Sequence, residues 1–250
     1  MTWYSIMGFV SSFALFIPIA LMLVLKLAHY RTFPALLIYY SSVFIYNLLT
    51  EGYLQADRQT IYYWGLINNL LDAPLMMTFL TYFSLSKEFT QKMYGLIAAY
   101  VLFEIIVIAI FGLTVKSITI VLAPGLIMVA AYCLYFFIRN GKAALQFNKC
   151  VGKSFMSASL FFAYGSYAMI YTMYYIFRTP YVADTFLIYF MAATISAIFM
   201  GIGLYYEKKR VRKLQELLIT RRELSEFYKD EKKGARLRAP LLDFENDILC

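Results

Sequence analysis

Asn68, Asp72 and Pro74 lie in the stretch NNLLDAPLMM, residues 68–77, inside an otherwise apolar block. Residues four apart share a helical face, so Asn68 and Asp72 would present an amide and a carboxylate together, with Trp64 and Gly65 continuing the stripe outward. Pro74 has no backbone donor and frees a carbonyl one turn back. An ionisable side chain at the centre of a bilayer costs about 2.5 to 3.5 kcal/mol on insertion scales and usually turns to the interior of a helix bundle. Such a group can bind an ion or ligand, or it can simply hydrogen-bond a neighbouring helix. Spacing alone is compatible with both.

A second set follows a helical stripe. Tyr164, Tyr167 and Tyr171 stand at i, i+3 and i+7, with Tyr174 and Tyr175 beyond them. They could wall a pocket or, in a chain with 23 tyrosines, simply pack and satisfy their hydroxyls. Asn47, Glu51 and Glu104 are more isolated polar residues. Glu51 is expected to be solvated near a boundary, and Glu104 to be a helix contact or a site. Other chemistry lacks its residues: His29 is the sole histidine, and Cys133, Cys150 and Cys250 have neither metal spacing nor a disulfide framework. No Ser-His-Asp set, phosphate loop or acid-base pair is legible, so an enzyme is not expected.

The elements that must carry these residues are set by composition. Of 250 residues, 62% are hydrophobic, 19% aromatic and 15% charged, the charges falling between long apolar blocks. A bilayer core of about 30 Å takes roughly 20 apolar residues per helix. Seven blocks qualify: 3–29, 33–54, 61–84, 93–113, 117–139, 154–177 and 186–206. The expected fold is an all-α seven-transmembrane-helix bundle over residues 1–206, in a multi-pass protein of the cell membrane. The first block lacks the basic start and cleavage signature of a signal peptide and reads as a retained helix. Lys26, Arg31, Lys87, Lys92, Arg139, Lys142, Lys149 and Lys153 gather around the odd-numbered links, which places the N-terminus outside and the C-terminus in the cytoplasm.

Residues 207–250 read as a basic juxtamembrane helix and a flexible tail. Val211, Leu214, Leu217, Leu218, Leu224 and Phe227 lie along the helix without heptad regularity, so it is expected to rest on anionic lipid rather than form a long coiled coil. The formal charge of +8 needs no partner beyond the lipid bilayer and its anionic headgroups, and nucleic acid is not implied. With no effector domain fused, any signal would pass to a separate cytoplasmic partner.

The pattern Asn68-x-x-x-Asp72-x-Pro74-Leu75 resembles the third helix of microbial rhodopsins, and most closely that of their sodium-pumping branch. Tyr164-x-x-Tyr167-Ala168-x-x-Tyr171 is similar to the sixth-helix aromatic motif of that family. Residues Ala193 to Gly201 can be laid on its seventh helix. The resemblance implies a rhodopsin-like bundle and, since relatives often form trimers or pentamers, a homo-oligomer. It also implies what is missing. The retinal lysine falls on Ala197, the accompanying aspartate on Ala193, the third-helix arginine on Gly65 and the sodium pump's glutamine on Phe79. No covalent retinal can form, which excludes a light-driven pump and leaves noncovalent retinal or carotenoid as the chromophore chemistry still open.

Small residues at those places leave a cavity lined by Asn68, Asp72, Met76, Tyr164, Tyr167, Tyr171, Ala193 and Ala197, or a centre refilled by Phe and Met. The resulting expectation is a lysine-less rhodopsin-like receptor or binding protein, sensing a small noncovalent ligand or ion near Asp72. The alternative is an ion channel or transporter using Asn68 and Asp72, and perhaps Glu104, as a polar path, against which stands the apolar run at Phe79 and Leu80.

Overall fold

The structure is a computed structural model that describes residues 3–147, 149–173 and 182–231. The described chain is helical: α1 (Trp3–Val24), α2 (Phe33–Thr50), α3 (Arg58–Leu80) with a 3₁₀ turn at Thr81–Phe83, α4 (Lys87–Phe111), α5 (Val115–Phe147), α6 (Val151–Tyr171) and α7 (Val182–Glu231). Among the described residues there is no strand. Five helices are long and apolar enough to cross a membrane, namely α1, α2, α4, α5 and α7. The other two, α3 and α6, carry Asn68, Asn69 and Asp72 on one side and Lys153, Ser154, Ser157, Ser159 and Ser166 on the other. The two helices that fall short of this measure over their described residues are those that bear Asp72 and Tyr164.

Several helix ends depart from the expected ones for local reasons. The first helix stops at Val24 instead of 29. There Lys26 turns left-handed at φ 54° and the Leu27 amide bonds the Met22 carbonyl at 2.9 Å. α3 begins at Arg58, ahead of 61, because Asp57 caps it through the Thr60 hydroxyl and the Thr60 amide. The same hydroxyl holds the Asp57 carboxyl below its ordinary range. α4 likewise starts at Lys87, where Ser86 accepts from the Phe89 amide at 3.2 Å. α5 runs to Phe147 rather than 139, since the basic residues read as a loop are sound helix formers.

The largest departure is at the other end of the chain. The seventh span was expected to end at 206 and be followed by a separate helix, but α7 is unbroken from Val182 to Glu231, 50 residues. Residues 207–231 contain neither glycine nor proline, so nothing stops propagation. At about 1.5 Å per residue the helix is roughly 75 Å long, more than twice a bilayer core of about 30 Å. The last residues expected in the sixth span, including Tyr174 and Tyr175, and the tail beyond Glu231 lie outside the described residues.

Consecutive helices pack side by side, α7 closes the ring against α1, and α3 also meets α5. The core at the end where α7 leaves the bundle is aromatic. Phe33 meets Tyr82 edge-on at 5.0 Å and Phe79 at 5.5 Å, and Phe83 meets Phe136 at 5.6 Å. The α6–α7 seam is the closest crossing: a Cβ on Gly203 would stand 2.9 Å from the Met156 amide nitrogen, and one on Gly152 would stand 2.7 Å from that of Glu207. Higher in the seam, Ser159 donates to the Ser196 carbonyl at 2.7 Å and Ser196 returns a bond to the Ser159 carbonyl at 3.1 Å. Small residues thus let two backbones approach and bond across the helices. The exterior is apolar in patches typified by Phe13, Ile110 and Ile127, as befits helices that face hydrocarbon. Cys133 is a buried free thiol.

Candidate functional site

Asp72 is placed midway along α3, where Pro74 is absorbed without ending the helix. Side chains add bonds along the same helix: Thr78 donates to the Pro74 carbonyl and Asn69 to the Gly65 carbonyl, each at 2.7 Å. The Asp72 carboxylate is partly buried and accepts a hydrogen bond from the Tyr164 hydroxyl of α6. Tyr164 itself is 1% exposed, so the pair reaches across the inside of the ring.

Tyrosines continue from this bond. Tyr164 meets Tyr167 edge-on at 5.8 Å, Tyr167 stacks on Tyr189 at 5.6 Å, and Tyr39 meets Tyr40 edge-on at 5.4 Å. Between them lies a void of about 10 Å³ bounded by Tyr39, Tyr40, Tyr164, Tyr167, Ala193 and Ser196, among others. That is room for about one water-sized occupant. Its wall combines four tyrosines with aliphatic side chains and Ser196, and the Asp72 carboxylate lies one hydrogen bond behind Tyr164.

The residues expected to line one cavity are distributed unequally. Tyr164, Tyr167 and Ala193 border the void, and Asp72 joins it through Tyr164. Ala197 is fully buried but is not part of the void's lining, and Met76 is fully buried in the core. Tyr171 donates to the Thr119 carbonyl at 3.1 Å, tying α6 to α5. Asn68 is partly exposed and makes no side-chain hydrogen bond among the described residues. The space opened by the small side chains of α7 is largely filled by Tyr39 and Tyr40 of α2. No spacing argument singled those two out, since the adjacent pair has no helical partner stripe of its own. Glu104 is buried on α4, and its Oε1 makes no hydrogen bond among the described residues. Glu51, expected to be solvated near a boundary, is partly exposed beside Gly8 of α1.

A second polar centre lies where α7 leaves the bundle, and the sequence hid it inside a basic run. Glu207 is fully buried. It accepts from the Tyr82 hydroxyl and from Arg210, whose Nε stands at 3.0 Å and Nη2 at 2.5 Å. Arg210 Nη2 also bonds the Tyr82 oxygen at 3.0 Å. Lys153, read as a loop-flanking charge, is 3% exposed, with its amine 5.0 Å above the Tyr82 ring.

No protein-family model, curated relative or solved structure matches this chain.

Proposed function

We propose that this protein is a rhodopsin-like membrane receptor without covalent retinal, in which a small cation is bound at the Asp72–Tyr164 centre. In this reading all seven helices span the cell membrane, the N-terminus is outside and α7 carries the signal into the cytoplasm to a separate partner, from a homo-oligomer and without enzymatic chemistry. The observation that carries the reading is the carboxylate hydrogen-bonded by Tyr164 beside a void of about 10 Å³. Carboxylate and hydroxyl oxygens are hard ligands, suited to a hard cation, and the volume suits a single small occupant. A retinal or carotenoid would have to part the tyrosine rings before entering. The resemblance of Asn68 and Asp72 to the sodium-pumping rhodopsins supports the same class of ligand.

The position of the site favours a receptor over a conductor. Met76, Met77, Phe79 and Leu80 are fully buried on the α3 turns that follow Asp72, and they offer an ion no oxygen ligand. α7, in contrast, runs without a break from Ala193 at the void to residues well past the bundle. The test is thermal unfolding of the purified protein in sodium chloride and in N-methylglucamine chloride at equal ionic strength. The midpoint is expected to rise in sodium, and Asp72→Asn to remove the difference. Equal midpoints for the natural protein in lithium, sodium, potassium and N-methylglucamine would end this reading. A midpoint raised only by all-trans retinal would replace it with a noncovalent chromophore site.

A further inference from the structure

The end of the bundle from which α7 projects concentrates cations around one aromatic ring. Lys153 of α6 holds its amine 5.0 Å from the Tyr82 ring centre, and Arg31, in the α1–α2 link, holds its guanidinium 6.0 Å from the same centre. Arg210 of α7 bonds the Tyr82 oxygen at 3.0 Å. Arg139 of α5 donates to the carbonyl of the next residue, Phe83. Four elements thus bring four cations to Tyr82 and Phe83, where Glu207 is the carboxylate that takes part.

The imbalance falls on Lys153. Arg210 is joined to Glu207 through two of its nitrogens, and Arg139 has its carbonyl. Lys153 is 3% exposed and its amine makes no hydrogen bond among the described residues, although an ammonium has three donors to satisfy. It also sits in the first turn of α6, where the helix dipole opposes a positive charge. Glu207 attracts the ammonium electrostatically, but no hydrogen bond joins the two. Arg31 is exposed, so one of the four cations meets solvent while Lys153 lies within.

We propose that this cluster is a binding site for a phosphate group, held by Lys153 with Arg31 and Arg139, while Glu207 fixes Arg210 and Tyr82 at its floor. A tetrahedral oxyanion offers enough acceptors for an ammonium and forked guanidinium donors at once. Helix ends are also the level at which lipid phosphates lie. The phosphate could belong to an anionic lipid headgroup or to a free phosphorylated solute. The site is separate from the Asp72 centre and does not depend on the reading of that centre.

The test uses the full chain in nanodiscs. In zwitterionic phosphatidylcholine, inorganic phosphate replaces chloride at constant ionic strength. In the second arm, phosphatidylglycerol replaces part of the phosphatidylcholine in chloride buffer. A saturable rise of several degrees in the unfolding midpoint is expected in at least one arm, abolished by Lys153→Met and weakened by Arg31→Gln. A rise with phosphate identifies a site for free phosphate, and a rise with phosphatidylglycerol alone identifies a lipid site. Midpoints unchanged in both arms, or a rise that both variants keep in full, would overturn the proposal. Arg31→Gln is exposed and leaves the fold intact, so the test holds even if Lys153→Met does not fold.

Discussion

Asp72 and Glu207 are both drawn into the bundle, but their surroundings differ. Asp72, midway along α3, has a phenol as its hydrogen-bond partner, beside a small void lined with tyrosines. Glu207, on α7, has a phenol and a guanidinium, with one oxygen held by three donors. A carboxylate bonded only to neutral hydroxyls can accept a cation or a proton with little rearrangement. A carboxylate already bonded to an arginine and a phenol is a structural anchor. In the proposed reading the first centre exchanges its occupant, and the second fixes an element.

Breaking the anchor should have the largest effect. Glu207→Ala removes the buried acceptor that Tyr82 and the 21% exposed Arg210 share, and it is expected to cost about 3 to 5 kcal/mol, read as a lower midpoint in chemical or thermal unfolding. A midpoint close to that of the natural protein would show that the end cluster is not an anchor. Next is the seam that brings α7 to α6. Gly203→Val would drive its side chain into the Met156 backbone, at an expected cost of about 3 kcal/mol, checked by the yield of monodisperse protein and its unfolding curve.

The Asp72 centre should be more forgiving. Asp72→Asn keeps an acceptor for the Tyr164 hydroxyl, so its cost without added cation is expected to be about 1 kcal/mol. A loss as large as that from Glu207→Ala would erase the contrast between the two regions. The smallest effect belongs to the exposed pair on the projecting part of α7. Arg212 and Glu216 meet at 3.0 Å with side chains 77% and 60% exposed, and Glu216→Ala should change stability by less than about 0.5 kcal/mol.

Much of the bundle was legible because hydrophobic length fixes where membrane helices can lie. The seven blocks and the seven helices correspond, although only five meet a strict measure of apolarity. The ends were less legible because charge was taken to mark loops. At α5 and α7 the same lysines, arginines and glutamates propagate a helix, and Glu207 and Lys153 enter the interior instead of meeting water. At the centre, spacing on single helices drew attention to Asp72, Tyr164 and Tyr167, which share stripes within α3 or α6. Tyr39, Tyr40 and Tyr189 join them only through the packing of α2 and α7 against that stripe, a relation between helices that the period of one helix does not contain.

The central claim concerns the occupant of the Asp72–Tyr164 centre. Equilibrium binding of radioactive sodium to the purified protein, with Asp72→Asn alongside, tests it most directly. The account predicts saturable binding that the variant loses while remaining folded. Binding that does not saturate, or that is the same in the variant, would contradict it.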